Sequence, residues 1–178
     1  MDKNNNTPAD RSSNENPSLR EGLRVDVYLS LGSNLGNKRE NIRLAIEKIG
    51  KLVGEVVRQS AFYETEPWGF QSENMFVNAA VKVKTTLTPM QLLRTTQRIE
   101  RELGRKNKSK SEKSQVSDGH TVGRVVYHDR PIDIDILLYG DLVVDEPELK
   151  IPHPLMWTRD FVMVPLREII DADPAPSR

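Results

Sequence analysis

The segment RPIDIDILLYG at positions 130–140 constrains the fold of this chain more than any other feature. Successive side chains of a strand point to opposite faces, so the three isoleucines share one face while Asp133 and Asp135 share the other. Neighbouring carboxylates repel each other and Asp is a poor strand residue, so the pair adds no stability to a purely structural strand. The pattern predicts a strand over 132–139 whose acidic face either meets water or holds a cation.

Alternating and β-branched residues predict three further strands, which lie at 25–32, 55–63 and 75–85. Two more segments follow the acidic strand. The first, at 141–154, has the composition of a short hairpin, and the second, at 158–170, has an amphipathic pattern. We expect both to be additions to the main sheet.

Apolar residues at helical spacing predict two helices. The first covers 35–50, with Gly50 at the position of a C-terminal cap. The second begins at Thr88, which is placed to form a capping box with Gln91, and ends at Gly104. The order β-α-β-β-α-β is typical of an α+β sandwich of the ferredoxin-like type, with both helices on one face of the sheet and the other face left for a ligand.

Composition excludes several classes of function. Among 178 residues, 26 are Lys or Arg and 26 are Asp or Glu, so no global field attracts the protein to nucleic acid or to a membrane. The chain has no cysteine, which excludes disulfides, thiolate nucleophiles and Cys-ligated zinc and fits a cytoplasmic protein. Residues 1–22 carry almost no large apolar side chain, so we expect a disordered tail before a single domain at 23–178.

Asp133 and Asp135 are the strongest candidates for a chemical site. Mg²⁺ takes one or two carboxylates and completes its shell with water and substrate phosphates. Arg130 lies three residues before Asp133, and the polar segment 105–128 holds more Lys and Arg, which suits a polyphosphate. We expect residues 105–127 to close over the substrates. The alternative is a solvated charge run beside an exposed acidic face.

Other candidate residues admit ordinary structural interpretations. The turn at 32–34 joins a strand to a helix, where backbone N–H groups can approach a ligand, but such a tripeptide is also a common turn. His153 stands between two prolines that stiffen it, and it could contact phosphate or cap a loop. The aromatic residues are individually typical of a core, although Phe76 and Asn78 share a strand face suited to a flat heterocycle.

Six segments in this order resemble the 6-hydroxymethyl-7,8-dihydropterin pyrophosphokinase family of folate biosynthesis. They are YLSLGSNLGNKRENI, FYETEPWG, FVNAAV, QRIERELGR, RPIDIDILLYG and IPHP with RDFVMVPL, and they extend from about residue 25 to about residue 170. The resemblance implies a ferredoxin-like fold. It also implies Mg²⁺-dependent transfer of diphosphate from ATP to the hydroxymethyl group of the pterin, with release of AMP.

The resemblance assigns roles to individual residues of this sequence. Two Mg²⁺ ions are expected at Asp133 and Asp135, which form the catalytic group together with Arg105 and Arg130. The pterin is expected to contact Gly32, Asn34, Thr65, Pro67, Trp68, Phe76, Asn78 and Phe161. ATP is expected to contact Gln97, Glu100, Arg105, Tyr127, Arg130, Ile136, His153 and Arg159. The chain departs from the common family pattern at Tyr127, His128, Asp129, Glu148 and Pro154.

Two other interpretations remain open at this point. The same element order occurs in RNA-binding modules of the RRM type, but their sheet face is basic and aromatic, whereas this one carries two carboxylates. The second alternative is a metal-dependent nucleotidyltransferase that is built on the same fold. In the preferred interpretation the partners are ATP and the reduced pterin, without nucleic acid or membrane, and the protein is a monomer.

Overall fold

The structure of the chain is a computed structural model that describes residues 22–105 and 128–170, together with the backbone of 111–112 and 124–125. The predicted tail, apart from Gly22, and most of the predicted 105–128 loop therefore lie outside the described residues. Within the described ranges, none of the helices is long and apolar enough to cross a membrane.

The described elements follow the predicted order, with additions. In chain order they are β1 (Val25–Ser33), α1 (Lys38–Leu52), β2 (Gly54–Gln59), β3 (Tyr63–Thr65), β4 (Phe76–Thr85), α2 (Pro89–Glu102), β5 (Ser111–Glu112), β6 (Arg124–Val125), β7 (Asp133–Tyr139), β8 (Val144–Asp145), β9 (Lys150–Ile151), a 3₁₀ turn (Met156–Thr158) and α3 (Asp160–Ile170).

The main sheet has the antiparallel order β2-β4-β1-β7, with β3 paired to the free end of β4. This is the strand order of a ferredoxin-like α+β sandwich, so the predicted fold class is confirmed. Two small antiparallel pairs, β5 with β6 and β8 with β9, stand apart from it. The second pair is the predicted hairpin.

One predicted strand is wrong in its extent, because 55–63 forms two strands. Ser60 interrupts it: its hydroxyl accepts the N–H of Ala80 at 2.9 Å, and its own N–H donates to the Ala80 carbonyl at 2.9 Å. Both bonds go to Ala80 of β4, so the chain forms a bulge here. Regular pairing with β4 resumes at Tyr63. The interruption depends on a side-chain contact that the strand pattern does not encode.

The helix ends show one correct and one wrong prediction. The capping box of α2 is present, since Gln91 N–H donates to Thr88 Oγ1 at 3.3 Å and Thr88 N–H donates to Gln91 Oε1 at 2.9 Å. Gly50, however, does not cap α1, which continues to Leu52. The helical hydrogen-bond ladder extends past the glycine, with Val53 N–H still bonded to the Ile49 carbonyl at 2.9 Å.

The two faces of the sheet are covered unequally. Helices α1 and α2 bury one face around a continuous core that includes Leu29, Leu31, Ile134 and Ile136. The other face was expected to be free, and this is wrong where helix α3 covers it. Helix α3 packs there on a second cluster, which contains Ala80, Leu137, Met156, Val162, Met163, Leu166 and Ile169. The uncovered part is the one that carries Asp133 and Asp135.

Candidate active site

A cavity of about 350 Å³ lies over the part of the sheet face that α3 leaves uncovered. Its floor is open because small residues face it: in the strand register Gly32 lies opposite Asp133, and Ser30 lies opposite Asp135. Neither neighbour has a side chain large enough to fill the space. The volume falls in the range of roughly 300–1,000 Å³ that is usual for small-molecule sites.

The acidic pair lies on the cavity wall, as the period of β7 predicts. Asp133 and Asp135 both line the cavity, whereas Ile134 and Ile136 are buried in the core behind the sheet. Asp133 Oδ2 lies 3.3 Å from Nη2 of Arg130, and Asp133 Oδ1 contacts Nη1 of Arg105. The carboxylates therefore share a face with positive charge already beside them.

Three arginines and one histidine form the basic part of the cavity: Arg105, Arg130, Arg159 and His153. Burial opposes the charge of Arg105, but Asp133, Glu100 and Asp135 raise the pKa of its guanidinium, so it stays cationic. Burial lowers the pKa of His153, the charge of Arg159 lowers it further, and Asp133 works in the opposite direction. The imidazole is therefore neutral near pH 7.

Aromatic side chains form the apolar part of the cavity, directly beside Arg130 and Arg159. The rings of Trp68 and Phe161 lie 6.3 Å apart at 55°, and the guanidinium of Arg159 lies 4.5 Å from the Trp68 centroid. Phe70 meets Phe76 edge to face at 6.1 Å. Flat, apolar and mutually tilted rings of this kind suit the insertion of a planar ligand.

Asn78 provides hydrogen-bonding groups among these rings. Its side chain is buried, and its Nδ2 donates to Oγ1 of Thr65 at 2.7 Å. This bond fixes the amide so that Oδ1 turns towards Gly32, where a Cβ atom would lie only 3.2 Å from it. The lack of a side chain at Gly32 thus keeps the amide oxygen accessible from the cavity.

Most of the predicted site residues meet in this cavity, and some do not. Those that line it are Gly32, Thr65, Trp68, Phe76, Asn78, Arg105, Arg130, Asp133, Asp135, His153, Arg159 and Phe161. Asn34, Pro67, Gln97, Glu100 and Ile136 lie off its lining, and Tyr127 is outside the described residues. Ile136 lines a second pocket of about 220 Å³, which shares Asp135, His153 and Pro154 with the first.

Several residues that line the cavity were not predicted from the sequence. Ser30, Glu66, Phe70, Pro154 and Leu155 also line the cavity. Ser30 could have been found, because it lies two positions before Gly32 on the same strand face. The others lie on loops, where no periodicity indicates which side chains turn inward.

Comparison with known proteins identifies the family. A model of the 7,8-dihydro-6-hydroxymethylpterin-pyrophosphokinase (HPPK) family matches residues 28–171, which is most of the chain. The chain belongs to the HPPK family. HPPK enzymes transfer diphosphate from ATP to hydroxymethyldihydropterin in folate synthesis, so this chain is an ATP-dependent diphosphotransferase and ATP is its co-substrate. The RNA-binding and nucleotidyltransferase interpretations are thereby set aside.

Individual HPPK relatives agree in length as well as in sequence. The chain is 50% identical over 144 residues to a 2-amino-4-hydroxy-6-hydroxymethyldihydropteridine pyrophosphokinase of Porphyromonas gingivalis, covering 80% of this chain and 89% of that protein. It is 41% identical over 143 residues to the enzyme of the same name from Aquifex aeolicus, covering 80% and 79%.

A solved structure supports the fold. The wild-type HPPK-DHPS of Plasmodium falciparum superposes with a TM-score of 0.60 at 16% identity, covering 84% of this chain and 42% of that longer one. At this identity the likeness concerns the fold alone.

Proposed function

We propose that the cavity is the place where diphosphate passes from ATP to the hydroxymethyl group of the pterin. One observation supports this most directly: a carboxylate pair, three arginines and a group of aromatic rings share a single cavity. A metal-bound polyphosphate needs the first two sets, and a flat heterocycle needs the third. The reaction requires that both substrates lie side by side.

The pterin fits the aromatic end. In this proposal its ring lies between Phe76 and Phe161, with Trp68 and Pro67 in the adjacent loop closing the edge of the pocket. Asn78 forms hydrogen bonds to the polar edge of the ring, and its amide is held in one orientation for this by Thr65. Gly32 leaves the room that this edge needs. Asn34 does not line the cavity, and in this proposal it supports the pterin pocket by fixing the turn after β1 through its bonds to Arg130.

The phosphates fit the basic end. The Nε of Arg105 is buried and has no hydrogen-bond partner within the described residues, so this guanidinium keeps a donor that those residues do not satisfy. His153 adds a neutral donor: its Nδ1 accepts the N–H of Leu155 at 3.3 Å, which leaves the proton on Nε2. With Arg130 and Arg159, these groups form a set of donors that suits phosphate oxygens.

The carboxylate pair fits Mg²⁺, and we propose two ions at Asp133 and Asp135. In the described ranges no cluster of three or more His, Cys, Asp or Glu is placed to hold a metal. A site here therefore relies on the pair together with substrate phosphates, which is the usual donor set of Mg²⁺. Bound Mg²⁺ would neutralise phosphate charge and hold the reacting groups in line.

The nucleoside fits the second pocket. This pocket is lined by Ile136 and shares Asp135, His153 and Pro154 with the first. The triphosphate would then run from the second pocket towards Asp133. Glu100 acts in this proposal by holding Arg105, whereas contacts from Gln97 and Tyr127 to the nucleotide stay predictions.

The residues of the chain have separate tasks in the reaction. The pterin oxygen forms a bond to the β-phosphorus of ATP, the bond from that phosphorus to the α,β-bridging oxygen breaks, and the hydroxyl proton is released. The aromatic end holds the attacking oxygen in line, and the arginines stabilise charge on the phosphate oxygens as AMP leaves. This needs positioning and charge more than a strong base.

Product analysis tests the proposal. Incubation with ATP, Mg²⁺ and 6-hydroxymethyl-7,8-dihydropterin should give AMP and the pterin diphosphate in equal amounts, separated by chromatography. ADP as the product would instead show transfer of one phosphoryl group. The controls omit the pterin or replace the wild type with the Asp133→Asn, Asp135→Asn double variant, and both should give only background AMP.

Three further expectations stay predictions. Size-exclusion chromatography with light scattering tests the monomer. Cell fractionation tests the cytoplasmic location, and limited proteolysis tests the division into a tail at 1–22 and a domain at 23–178.

A further inference from the structure

Asp129 connects three segments of the chain, although its sequence position predicts no role for it. Its Oδ1 accepts hydrogen bonds from Asn34 Nδ2 at 2.7 Å and from Ser72 Oγ at 2.8 Å. Its Oδ2 accepts one from Asn74 Nδ2 at 2.7 Å. The donors come from the end of β1 and from the loop 66–75 that joins β3 to β4.

Asn34 makes the Asp129 side of this connection rigid. The N–H of Arg130 donates to Asn34 Oδ1 at 2.8 Å, and the N–H of Asn34 donates to the Arg130 carbonyl at 3.1 Å. Because Asn34 Oδ1 is already an acceptor, its Nδ2 must donate, and an ionised carboxylate is the matching acceptor. Asn34 is only 1% exposed, so the segment 129–130 is anchored to buried structure.

The loop on the other side of Asp129 forms part of the cavity wall. Trp68 and Phe70 belong to loop 66–75 and line the cavity. Ser72 Oγ accepts the N–H of Asn74 at 3.1 Å while donating to Asp129, so the two loop donors are held together as one unit. The carboxylate therefore ties residues 72–74 of the loop to the segment 129–130.

We infer that Asp129 is a positioning residue for the pterin substrate, which holds loop 66–75 and its two aromatic side chains against the pterin end of the cavity. The inference rests on the proposed function for the identity of the ligand, but the connection itself does not. Burial raises the pKa of Asp129, and the bonds from Ser72, Asn74 and Asn34 with the charge of Arg130 outweigh it and lower the pKa. The carboxylate is ionised near neutral pH, as three donors require.

An exchange of partners tests the inference. In Asp129→Asn the two charged acceptor oxygens become one neutral acceptor and one donor, and the bond to Asn74 is kept only if the Asn74 amide turns over so that its Oδ1 accepts. In Asp129→Asn combined with Asn74→Asp, the amide donates to the new carboxylate and the connection is restored with reversed direction. Asp141→Asn, at an exposed position on the β7–β8 turn, is the matched control.

Two measurements distinguish an effect on the position of loop 66–75 from an effect on ligand binding. The chain has two tryptophans, Trp68 and Trp157, so a Trp157→Phe background reports on loop 66–75 by acrylamide quenching of Trp68. The second readout is calorimetric affinity for the pterin and for a non-hydrolysable ATP analogue. We expect Asp129→Asn to increase quenching and to weaken pterin binding about three- to tenfold, with ATP binding changed less than about twofold.

The double variant should recover most of both effects, and Asp141→Asn should show neither. Unchanged quenching and pterin affinity in Asp129→Asn would overturn the inference, as would a double variant no better than Asp129→Asn alone. If quenching follows the expected pattern while the wild type binds no pterin, the proposed function fails and the role of Asp129 in pterin binding fails with it.

Discussion

Glu100 and Arg105 form a buried ion pair in which Oε1 of Glu100 accepts a hydrogen bond from Nη1 of Arg105 at 2.7 Å. The same oxygen accepts the N–H of Ile134 at 2.8 Å. One carboxylate thereby joins helix α2 to an arginine of the cavity and to the strand that carries Asp133 and Asp135. Glu100 does not line the cavity, so its effect on the reaction passes through these two partners.

Removal of the Glu100 carboxylate should destabilise the fold. Glu100→Ala leaves a buried guanidinium and a buried N–H without one acceptor, and we expect the free energy of unfolding to fall by about 3 kcal/mol. Glu100→Gln keeps an oxygen that can accept, so its loss should be smaller. Urea denaturation measures both. The control is Glu102→Ala on the same helix, which breaks exposed pairs with Lys48 and Arg98 and should change stability little. Equal losses at both positions would contradict this account.

Loss of either cavity carboxylate should abolish most of the activity without unfolding the protein. Asp133→Asn and Asp135→Asn keep the side-chain shape but remove a charge from the proposed Mg²⁺ site. We expect turnover to fall by on the order of a hundredfold or more, and the Mg²⁺ concentration for half-activation to rise. Steady-state assays across a Mg²⁺ series measure both quantities, and circular dichroism checks the fold. Near-normal turnover at saturating Mg²⁺ in a folded variant would exclude the pair as the metal site.

Removal of Phe161 should weaken pterin binding more than ATP binding. The ring of Phe161 lines the aromatic end of the cavity beside Trp68, so Phe161→Ala removes one stacking surface, while Arg159 keeps its contact with Trp68. The loss of pterin affinity should be roughly 1–3 kcal/mol. Calorimetry with each ligand separately measures it, and an equal loss for both ligands would indicate general damage instead.

A methyl group at position 32 should weaken the binding of the polar edge of the pterin to Asn78. An ideal Cβ there lies 3.2 Å from Asn78 Oδ1 and 3.7 Å from a ring carbon of Phe76, so Gly32→Ala forces the amide to move. We expect pterin affinity to fall about tenfold while ATP affinity stays close to that of the wild type. Gly50→Ala is the matched control, because its Cβ meets nothing closer than 4.0 Å and the position lies inside α1. Similar pterin affinities in the two variants would refute the role of Gly32.

The parts of the fold that local patterns encode could be predicted. Alternation placed β7 and turned its carboxylates away from the core, and the spacing of Thr88 and Gln91 predicted a capping box that the structure contains. Contacts between distant segments could not be predicted. The interruption at Ser60 needs Ala80, and α3 covers part of the ligand face through packing on β4. No local periodicity carries such information.

The candidate site likewise contains residues that local patterns predict and residues that depend on contacts between distant segments. Residues on strands, such as Gly32 and Asn78, lie on the face that their position in the strand predicts. Residues that act through a partner gave no sequence signal of their own, because their geometry depends on side chains far away in the chain. Asp129 is the clearest case, since its donors lie 55 to 95 residues earlier. The family resemblance supplied residue assignments where spacing alone left alternatives open.

The neutral state of His153 should make the stability of the fold depend on pH. Burial and Arg159 lower its pKa below the ordinary value of 6.5, despite the opposing effect of Asp133. As pH falls below 6.5, the unfolded chain binds a proton that the folded chain does not, so the free energy of unfolding decreases until the folded pKa is reached. His153→Asn removes this titration and should flatten the dependence between pH 7 and pH 5. Urea denaturation at several pH values measures the slope, with His128→Asn, at an exposed histidine outside the cavity lining, as the matched control. A slope that His153→Asn leaves unchanged would show that the imidazole is not held neutral by the fold.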